Sequence, residues 1–201
     1  MAAGLIYDPD QADLAAEQTQ ALELLHDFNA TRPSEGERRT ALLREMFASV
    51  GEGVYVEPPL HANWAGRHVH VGDKVYANFN LTLVDDGPIR IGSHVMFGPN
   101  VTITTAGHPV QPDLRRRAAQ FNLPVVIGDN VWIGTGVSIM PGVTIGDDTV
   151  IGAGSVVTRD IPAGVVAVGT PCRVVREIGD HDREFYWRDR RIDDGVRDVF
   201  P

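Results

Sequence analysis

His108, beside Pro109, closes a regular apolar stretch that begins at Val75 and is interrupted by Asn78 and Asp86. An imidazole titrates close to neutral pH and is the side chain that most often moves protons in enzymes. The amide and the carboxylate can hydrogen-bond the hydroxyl groups of a bound molecule, but Asn and Asp are also ordinary turn residues. The stretch therefore predicts either a polar site with His108 as a general base, or a series of turns.

Composition narrows the class of protein. The chain has 201 residues with 43% hydrophobic content, enough for one sizeable domain or one domain with a small appendage. It contains no apolar run long enough for a membrane span and no signal-peptide pattern, so we expect a cytoplasmic protein. Its single cysteine, Cys172, excludes a disulfide framework. A formal net charge of −9 argues against nucleic acid and anionic membranes as partners, so an anionic ligand would need a local cluster of basic residues.

A six-residue repeat dominates the middle of the chain. Apolar residues recur at every sixth position, and glycine often follows them. The positions are Val71, Ala77, Leu83 and Ile89; Ile91, Phe97 and Ile103; then Ile127, Ile133, Ile139, Ile145, Ile151 and Val157. A period of six fits neither a helix nor simple strand alternation, and it is typical of a parallel β-helix in which each hexapeptide forms one short strand and a turn. Three such faces enclose a core of stacked aliphatic side chains.

The repeat divides the chain into three parts. Residues 1–55 form an N-terminal segment in which 9–50 has helical periodicity, predicting two helices, the second with a capping box at Ser34 and Glu37. Residues 56–178 form the β-helix, and the repeat lapses over 104–124, which predicts a projecting loop with His108 at its root. Residues 179–201 form a charged, aromatic cap or tail without a readable motif.

Several motifs in fixed order resemble one family. They are NFN at 78–80, VDD at 84–86, GHPV at 107–110, VWIG at 131–134 and GTPCRVVREI at 169–178. Together with the repeat, they resemble the hexapeptide-repeat acetyltransferases, in the branch with galactoside, maltose and nodulation-type enzymes. The resemblance covers nearly the whole chain. It implies a left-handed β-helix, acetyl-CoA as donor, and a homotrimer with active sites between adjacent subunits.

The resemblance also implies residue roles on the acceptor side. His108 would be the general base for transfer of an acetyl group to a sugar or glycoside hydroxyl. Asp8, Asn78 and Asp86 match positions that contact the acceptor, and Asn63 lies near another such position. Tyr76 points outward by the phase of the repeat, so it could line the acceptor cleft. Asp8 could instead cap the first helix, and Tyr76 could simply lie on the surface. The segment around Asn63 carries one residue more than is usual in the family, which leaves the identity of the sugar open.

On the donor side, small residues would line the groove for the pantetheine arm and basic residues would meet the phosphates. Thr135 and Ala153 match the groove, and Thr158, Arg159, Arg173 and Arg176 match the phosphate end. Guanidinium groups pair well with phosphate, which fits a polyanionic cofactor bound to an acidic chain. Trp132, at an outward repeat position, is expected at an interface or a ligand surface.

Three other functions stay open at this point. The acceptor could be an antibiotic or another small alcohol or amine, because a histidine base serves either nucleophile. A catalytically silent β-helix scaffold would also show the repeat. A metal enzyme is disfavoured, because the histidine pair used by the β-helical carbonic anhydrases is absent from His61, His68, His70 and His94; no metal is expected.

Overall fold

The computed structural model describes residues 4–9, 12–193 and 195–196, with the side chains of residues 12–14 left out. The outermost residues of the first and last predicted segments, together with 10, 11 and 194, lie outside this description. As the periodicity over 9–50 predicts, this segment contains two helices, α1 (Ala12–Asn29) and α2 (Gly36–Met46). Phe28 and Leu43, which are both fully or nearly fully buried, anchor these helices to the core.

The predicted capping box at the start of α2 is wrong. The N-cap is Glu35, and it makes no side-chain capping bond. Its carboxylate instead accepts a hydrogen bond from the backbone N–H of Arg32 at 2.7 Å and pairs with Arg38 at 3.1 Å. The carboxylate therefore contacts the preceding turn, and Ser34 lies before the N-cap.

From residue 49 the chain winds into three parallel sheets that form the walls of a prism. Wall 1 comprises β1 (Ser49–Val50), β4 (Val69–Val71), β7 (Ile89–Ile91), β12 (Val125–Ile127) and β15 (Thr144–Ile145). Wall 2 comprises β2 (Tyr55–Val56), β5 (Tyr76–Ala77), β8 (Met96–Phe97), β13 (Trp132–Ile133), β16 (Val150–Ile151), β18 (Val165–Val168) and the antiparallel β19 (Arg173–Glu177). Wall 3 comprises β3 (Leu60–Ala62), β6 (Leu81–Val84), β9 (Thr102–Thr104), β14 (Ser138–Ile139) and β17 (Val156–Val157). The prediction of a parallel β-helix preceded by two helices is confirmed.

The six-residue phase corresponds to burial. Ile127, Ile133, Ile139, Ile145 and Ile151 are at most 1% exposed. They point inward from successive walls, so that Ile127 aligns with Ile145 and Ile133 aligns with Ile151 one coil further on. Each fully buried side chain of this size contributes about 1.5–3 kcal/mol, so these inward side chains hold the solenoid together. The two-residue break in the repeat at Ile89 and Ile91 has a simple cause, because both residues point inward from β7, with Arg90 outward between them.

Asparagines mark corners between the walls. Asn80, Asn100 and Asn130 adopt left-handed backbone conformations with φ of 60°, 60° and 54°. Among residues with a side chain, Asn is one of the few that adopts this region readily. The Asn80 side chain donates to Asn100 on the next coil at 3.0 Å. Some of the polar residues that interrupt the apolar stretch are therefore there to form turns.

Two appendages leave the prism. Between β9 and β12 the chain projects as a loop with β10 (Ala106–Gly107), α3 (Pro112–Arg116) and β11 (Phe121–Asn122), in which β10 and β11 pair antiparallel. After β19, α4 (Asp180–Glu184) leads into an antiparallel pair, β20 (Phe185–Trp187) and β21 (Arg190–Arg191). Residues 185–191 are called the C-terminal hairpin below. Neither α1 nor any other helix among the described residues has the length and hydropathy of a membrane span.

Candidate functional site

His108 lies at the root of the projecting loop, directly after β10. Its Nδ1 is 2.9 Å from the carbonyl oxygen of Ala119, on the returning arm of the loop. A carbonyl oxygen only accepts hydrogen bonds, so in the neutral imidazole Nδ1 carries the proton and Nε2 carries the lone pair. His108 is exposed in the single chain. The loop therefore presents an oriented imidazole with a basic nitrogen available to a ligand.

The two adjacent carboxylates of the VDD motif have different environments. Asp85 is fully buried and accepts hydrogen bonds from the backbone N–H groups of Trp64 at 2.8 Å and Gly66 at 2.9 Å. Its burial raises the pKa of its carboxyl group, against the effect of these N–H donors. Its backbone carbonyl also contacts His68 Nδ1 at 2.6 Å. Asp85 therefore fixes a turn, which explains part of the motif structurally.

Asp86, in contrast, belongs to a polar side-chain network. Its Oδ2 accepts from Asn63 Nδ2 at 2.9 Å, and its Oδ1 accepts from Gln120 Nε2 at 3.2 Å and from Trp64 Nε1 at 3.4 Å. Asn122 Nδ2 donates to its backbone carbonyl at 3.1 Å. The predicted residues Asn63 and Asp86 are thus in direct contact, and only neutral N–H groups surround the carboxylate in these contacts.

Tyr7 joins this network from the other end of the chain. Its backbone pairs with Gln120 through bonds of 2.9 and 3.0 Å. Its hydroxyl accepts from Gln120 Nε2 at 2.8 Å and from Asn122 Nδ2 at 3.0 Å. Burial raises the pKa of Tyr7, the two amide donors oppose the shift, and the negative charge of Asp86 adds to it. The phenol therefore stays protonated at neutral pH. The predicted residue Asp8 follows Tyr7 directly in the chain.

Sequence reasoning did not single out Tyr7, Trp64, Gln120 or Asn122. Tyr7 stands within the LIYDPDQADL segment that resembles the family, so a signal for it was present. Gln120 and Asn122 lie in the stretch that has no repeat. Their contacts depend on the pairing of Tyr7 with Gln120, which are far apart in the sequence. No local sequence pattern encodes that pairing.

Within one chain, no contact given for the described residues joins Asn78 or Tyr76 to His108. The Asn78 side-chain oxygen accepts from the N–H of Phe79 at 2.8 Å, which is a local turn contact. No hydrogen bond among the described residues joins Asn78 to His108 or Asp86. Tyr76 points outward, as the repeat phase predicts, and its ring stacks on Tyr55 with centroids 6.2 Å apart.

A cleft of about 630 Å³ lies against the last coils of wall 2. Its lining is mostly apolar and includes Trp132, Thr135, Ala153, Arg176, Tyr186 and Trp187. Three predicted donor residues, Thr135, Ala153 and Arg176, therefore share one surface. The remaining three, Thr158, Arg159 and Arg173, lie outside this lining, and Arg173 donates to the carbonyl of Cys172 at 2.7 Å.

Arg176 is held by a carboxylate that the sequence did not reveal. Its Nη1 and Nη2 donate to the two oxygens of Asp182, both at 2.7 Å. This contact lowers the pKa of the Asp182 carboxyl to about 2. Tyr186 and Trp187, in the tail that had no readable motif, complete the lining of the cleft.

The described residues contain no cluster of three or more His, Cys, Asp or Glu side chains suited to a metal ion. The two candidate surfaces are thus the polar network near His108 and the cleft on wall 2.

Comparison with family models gives two matches. Residues 1–51 match the maltose acetyltransferase hexapeptide capping motif, and residues 124–159 match the bacterial transferase hexapeptide repeat. A galactoside O-acetyltransferase of Lactococcus lactis is 54% identical over 94% of this chain and 91% of its own length. These matches account for both the helical start and the coils.

Two solved structures have the same fold. A galactoside acetyltransferase in complex with coenzyme A superposes with a TM-score of 0.90, at 47% identity over 95% of each chain. A hexapeptide-repeat acetyltransferase of Vibrio cholerae, solved with acetyl coenzyme A, gives 0.83 at 37% identity over 90% of this chain and 97% of its own. The left-handed sense expected of the β-helix is thereby confirmed.

Proposed function

The chain belongs to the hexapeptide-repeat acetyltransferases, in the branch of the galactoside O-acetyltransferases, and is therefore an acetyl-CoA-dependent O-acetyltransferase; we propose that its acceptor is a hydroxyl of a sugar or glycoside and that His108 is the general base. The single observation that carries the proposal is the 2.9 Å contact between His108 Nδ1 and the Ala119 carbonyl. In the neutral imidazole it directs the lone pair to Nε2, and it fixes the ring in one orientation.

The chemistry follows from that tautomer. His108 Nε2 takes the proton of the acceptor hydroxyl as its oxygen attacks the thioester carbonyl carbon of acetyl-CoA. The resulting tetrahedral intermediate collapses with cleavage of the carbon–sulfur bond. The imidazolium returns its proton to the leaving thiolate, so the products are the acetyl ester and free CoA thiol. Asn78 Nδ2 is proposed to donate to the hydroxyl or the oxyanion, since its Oδ1 already serves the turn.

The polar network supports a polyhydroxylated acceptor. Asn63 and Asp86 offer an amide and a carboxylate at one surface, and Tyr7 adds a protonated phenol. Asp8, the next residue after Tyr7, is proposed to add a second carboxylate. Sugar hydroxyls both donate and accept hydrogen bonds, so a mixed set of this kind suits them. Asp86 is proposed to accept from a sugar hydroxyl while Asn63 fixes its orientation.

The cleft on wall 2 is proposed as the donor site. Thr135 and Ala153 have short side chains that allow a close approach of the thioester arm, and Arg176 is suited to a phosphate. Thr158, Arg159 and Arg173 are proposed to extend this site toward the remaining phosphates, beyond the cleft itself. Acetyl-CoA is a metabolite of the cell interior, which supports the cytoplasmic location expected from the sequence.

The proposed assembly is a homotrimer. His108 is not part of the cleft lining, which supports a reaction centre assembled from two chains. Wall 2 also exposes a column of large apolar side chains, Tyr55, Tyr76, Met96 and Trp132, at 39–51% exposure. A contiguous apolar column of this kind favours an interface. A second copy seated there would bring its own loop to the cleft and place Tyr76 at the acceptor.

The test is release of CoA thiol from acetyl-CoA with a panel of glucosides, galactosides, maltose, chitooligosaccharides and chloramphenicol. His108→Ala should lower kcat by about 10²–10⁴-fold. The matched control is His26→Ala, because His26 is an exposed histidine on α1. Turnover only with chloramphenicol would reject the sugar acceptor, and an active His108→Ala enzyme would reject the base. Light scattering in solution tests the trimer.

A further inference from the structure

The C-terminal hairpin and its attachment to Arg176 have no role in the function proposed so far. Trp187 and Tyr186 are 59% and 63% exposed, yet both line the same cleft as Ala153 and Arg176. Exposed aromatic side chains converging on a cleft are typical of sites that bind planar groups. The cleft therefore combines an apolar floor, a guanidinium and an aromatic rim.

The contacts of Arg176 leave one edge of its guanidinium for a ligand. Asp182 takes one hydrogen from Nη1 and one from Nη2, and the carbonyl of Glu177 takes the second Nη1 hydrogen at 3.0 Å. The Nε–H and the second Nη2–H then remain, and they lie on the same side of the planar group. That edge matches two oxygens of a phosphate. A bound phosphate can therefore contact Arg176 without displacing Asp182.

Asp182 is itself held in place. Its Oδ2 accepts from the backbone N–H of Gly179 at 3.0 Å as well as from Arg176, and its side chain is 25% exposed. It belongs to α4, which runs directly into the C-terminal hairpin. The Arg176–Asp182 pair therefore links β19 to the segment that carries the aromatic residues.

The hairpin has its own internal contacts. Phe185 stacks on His181 with ring centroids 4.7 Å apart, and the Arg191 guanidinium lies 5.4 Å from the centre of the Phe185 ring. The Arg188 guanidinium lies 5.5 Å from the centre of the Trp187 ring. One face of this indole is therefore covered by a cation, which leaves its other face for a bound planar group beside a positive charge.

We propose that Asp182 is a positioning residue for donor binding, and that it holds Arg176 toward a phosphate of acetyl-CoA while the C-terminal hairpin places Trp187 against the adenine. This inference rests on the proposed donor cleft and extends it. The recognised part is the nucleotide half of the donor, since adenine supplies a planar ring and the adjoining phosphates supply the anion. The thioester arm lies deeper, against Thr135 and Ala153.

The nucleotide half can be tested separately, because S-acetylpantetheine carries the thioester arm without adenine or phosphates. Asp182→Ala and Trp187→Ala should each raise the KM for acetyl-CoA about tenfold, the equivalent of 1.4 kcal/mol. The kcat and the KM for S-acetylpantetheine should stay at wild-type values, which also shows that the variants are folded. Trp187→Phe should restore most of the lost affinity, because it keeps an aromatic face.

Two controls separate the possible failures. Asp180→Ala removes a carboxylate from the same short helix, one that is exposed and pairs with Arg183, and should change neither KM. Ala153→Phe should raise the KM for both donors, because it fills the proposed groove.

If Ala153→Phe changes neither KM, the proposed donor cleft itself is wrong. If it acts as expected while Asp182→Ala leaves the KM for acetyl-CoA unchanged, or lowers it, only the role of Asp182 and the hairpin is overturned. A loss of subunit association in Trp187→Ala would likewise overturn it, assigning the hairpin to an interface.

Discussion

Gln120 is the side chain that joins the projecting loop to the proposed acceptor site. It is 8% exposed, and its Nε2 lies 2.8 Å from the Tyr7 hydroxyl and 3.2 Å from both Asp86 Oδ1 and Asn122 Oδ1. Gln120→Ala removes these contacts and keeps the backbone pairing with Tyr7. We therefore expect the loop to stay folded and Asp86 to lose one of its fixed donors.

The size of the effect follows from the number of hydrogens. Nε2 has two, so at most two full bonds are lost. A bond to a neutral hydroxyl contributes about 1 kcal/mol and one to a carboxylate about 1.5–3 kcal/mol, which together give about 3 kcal/mol. For a chain of this length, that lowers Tm by roughly 6–12 °C. If Asp86 orients the acceptor, the KM of the Gln120→Ala enzyme for the acceptor should rise about tenfold. Its KM for acetyl-CoA should be unchanged.

Urea unfolding and steady-state kinetics measure the two effects. The matched control is Gln20→Ala on the exposed surface of α1, which should stay within about 0.5 kcal/mol of wild type. Gln120→Glu adds a charge test, because two neighbouring carboxylates tend to share one proton. The KM of this variant for the acceptor should rise with increasing pH, because the shared proton is then lost. An unchanged acceptor KM in Gln120→Ala would refute the placement of Asp86 in the acceptor site.

Three further predictions concern the fold and the cleft. Asp85→Asn should destabilise the protein by about 1–3 kcal/mol in urea unfolding, because an amide offers one acceptor to the two N–H groups of the Trp64–Gly66 turn. Ile133→Ala should cost about 3–4 kcal/mol by the same assay, since the coils above and below prevent the cavity from collapsing. The pKa of Asp182 is lowered from 3.8 to about 2, so its pair with Arg176 stabilises above about pH 4 and is lost as pH falls toward 2. Hydrogen exchange in the C-terminal hairpin should then accelerate relative to the coils over that range.

The sequence by itself determined the fold. The six-residue phase identified the inward residues from Val71 to Val157, and the structure buries them. This was possible because each coil repeats the same local environment, so periodicity alone states which side chain points inward. The lapse of the repeat likewise located the projecting loop and placed His108 at its root.

Only the tertiary structure decided which polar side chains fix turns and which contact each other at the candidate sites. Asp85 and Asp86 are neighbours in sequence, yet one fixes a turn and the other faces the network, because the backbone turns their side chains to different surroundings. Tyr7 meets Gln120 across 113 residues, and Arg176 meets Asp182 where α4 folds back on β19. A periodic pattern encodes burial, which repeats from coil to coil. The periodic pattern does not encode these pairings. Each pairing forms only once, at a place where a segment outside the repeat packs against another part of the chain.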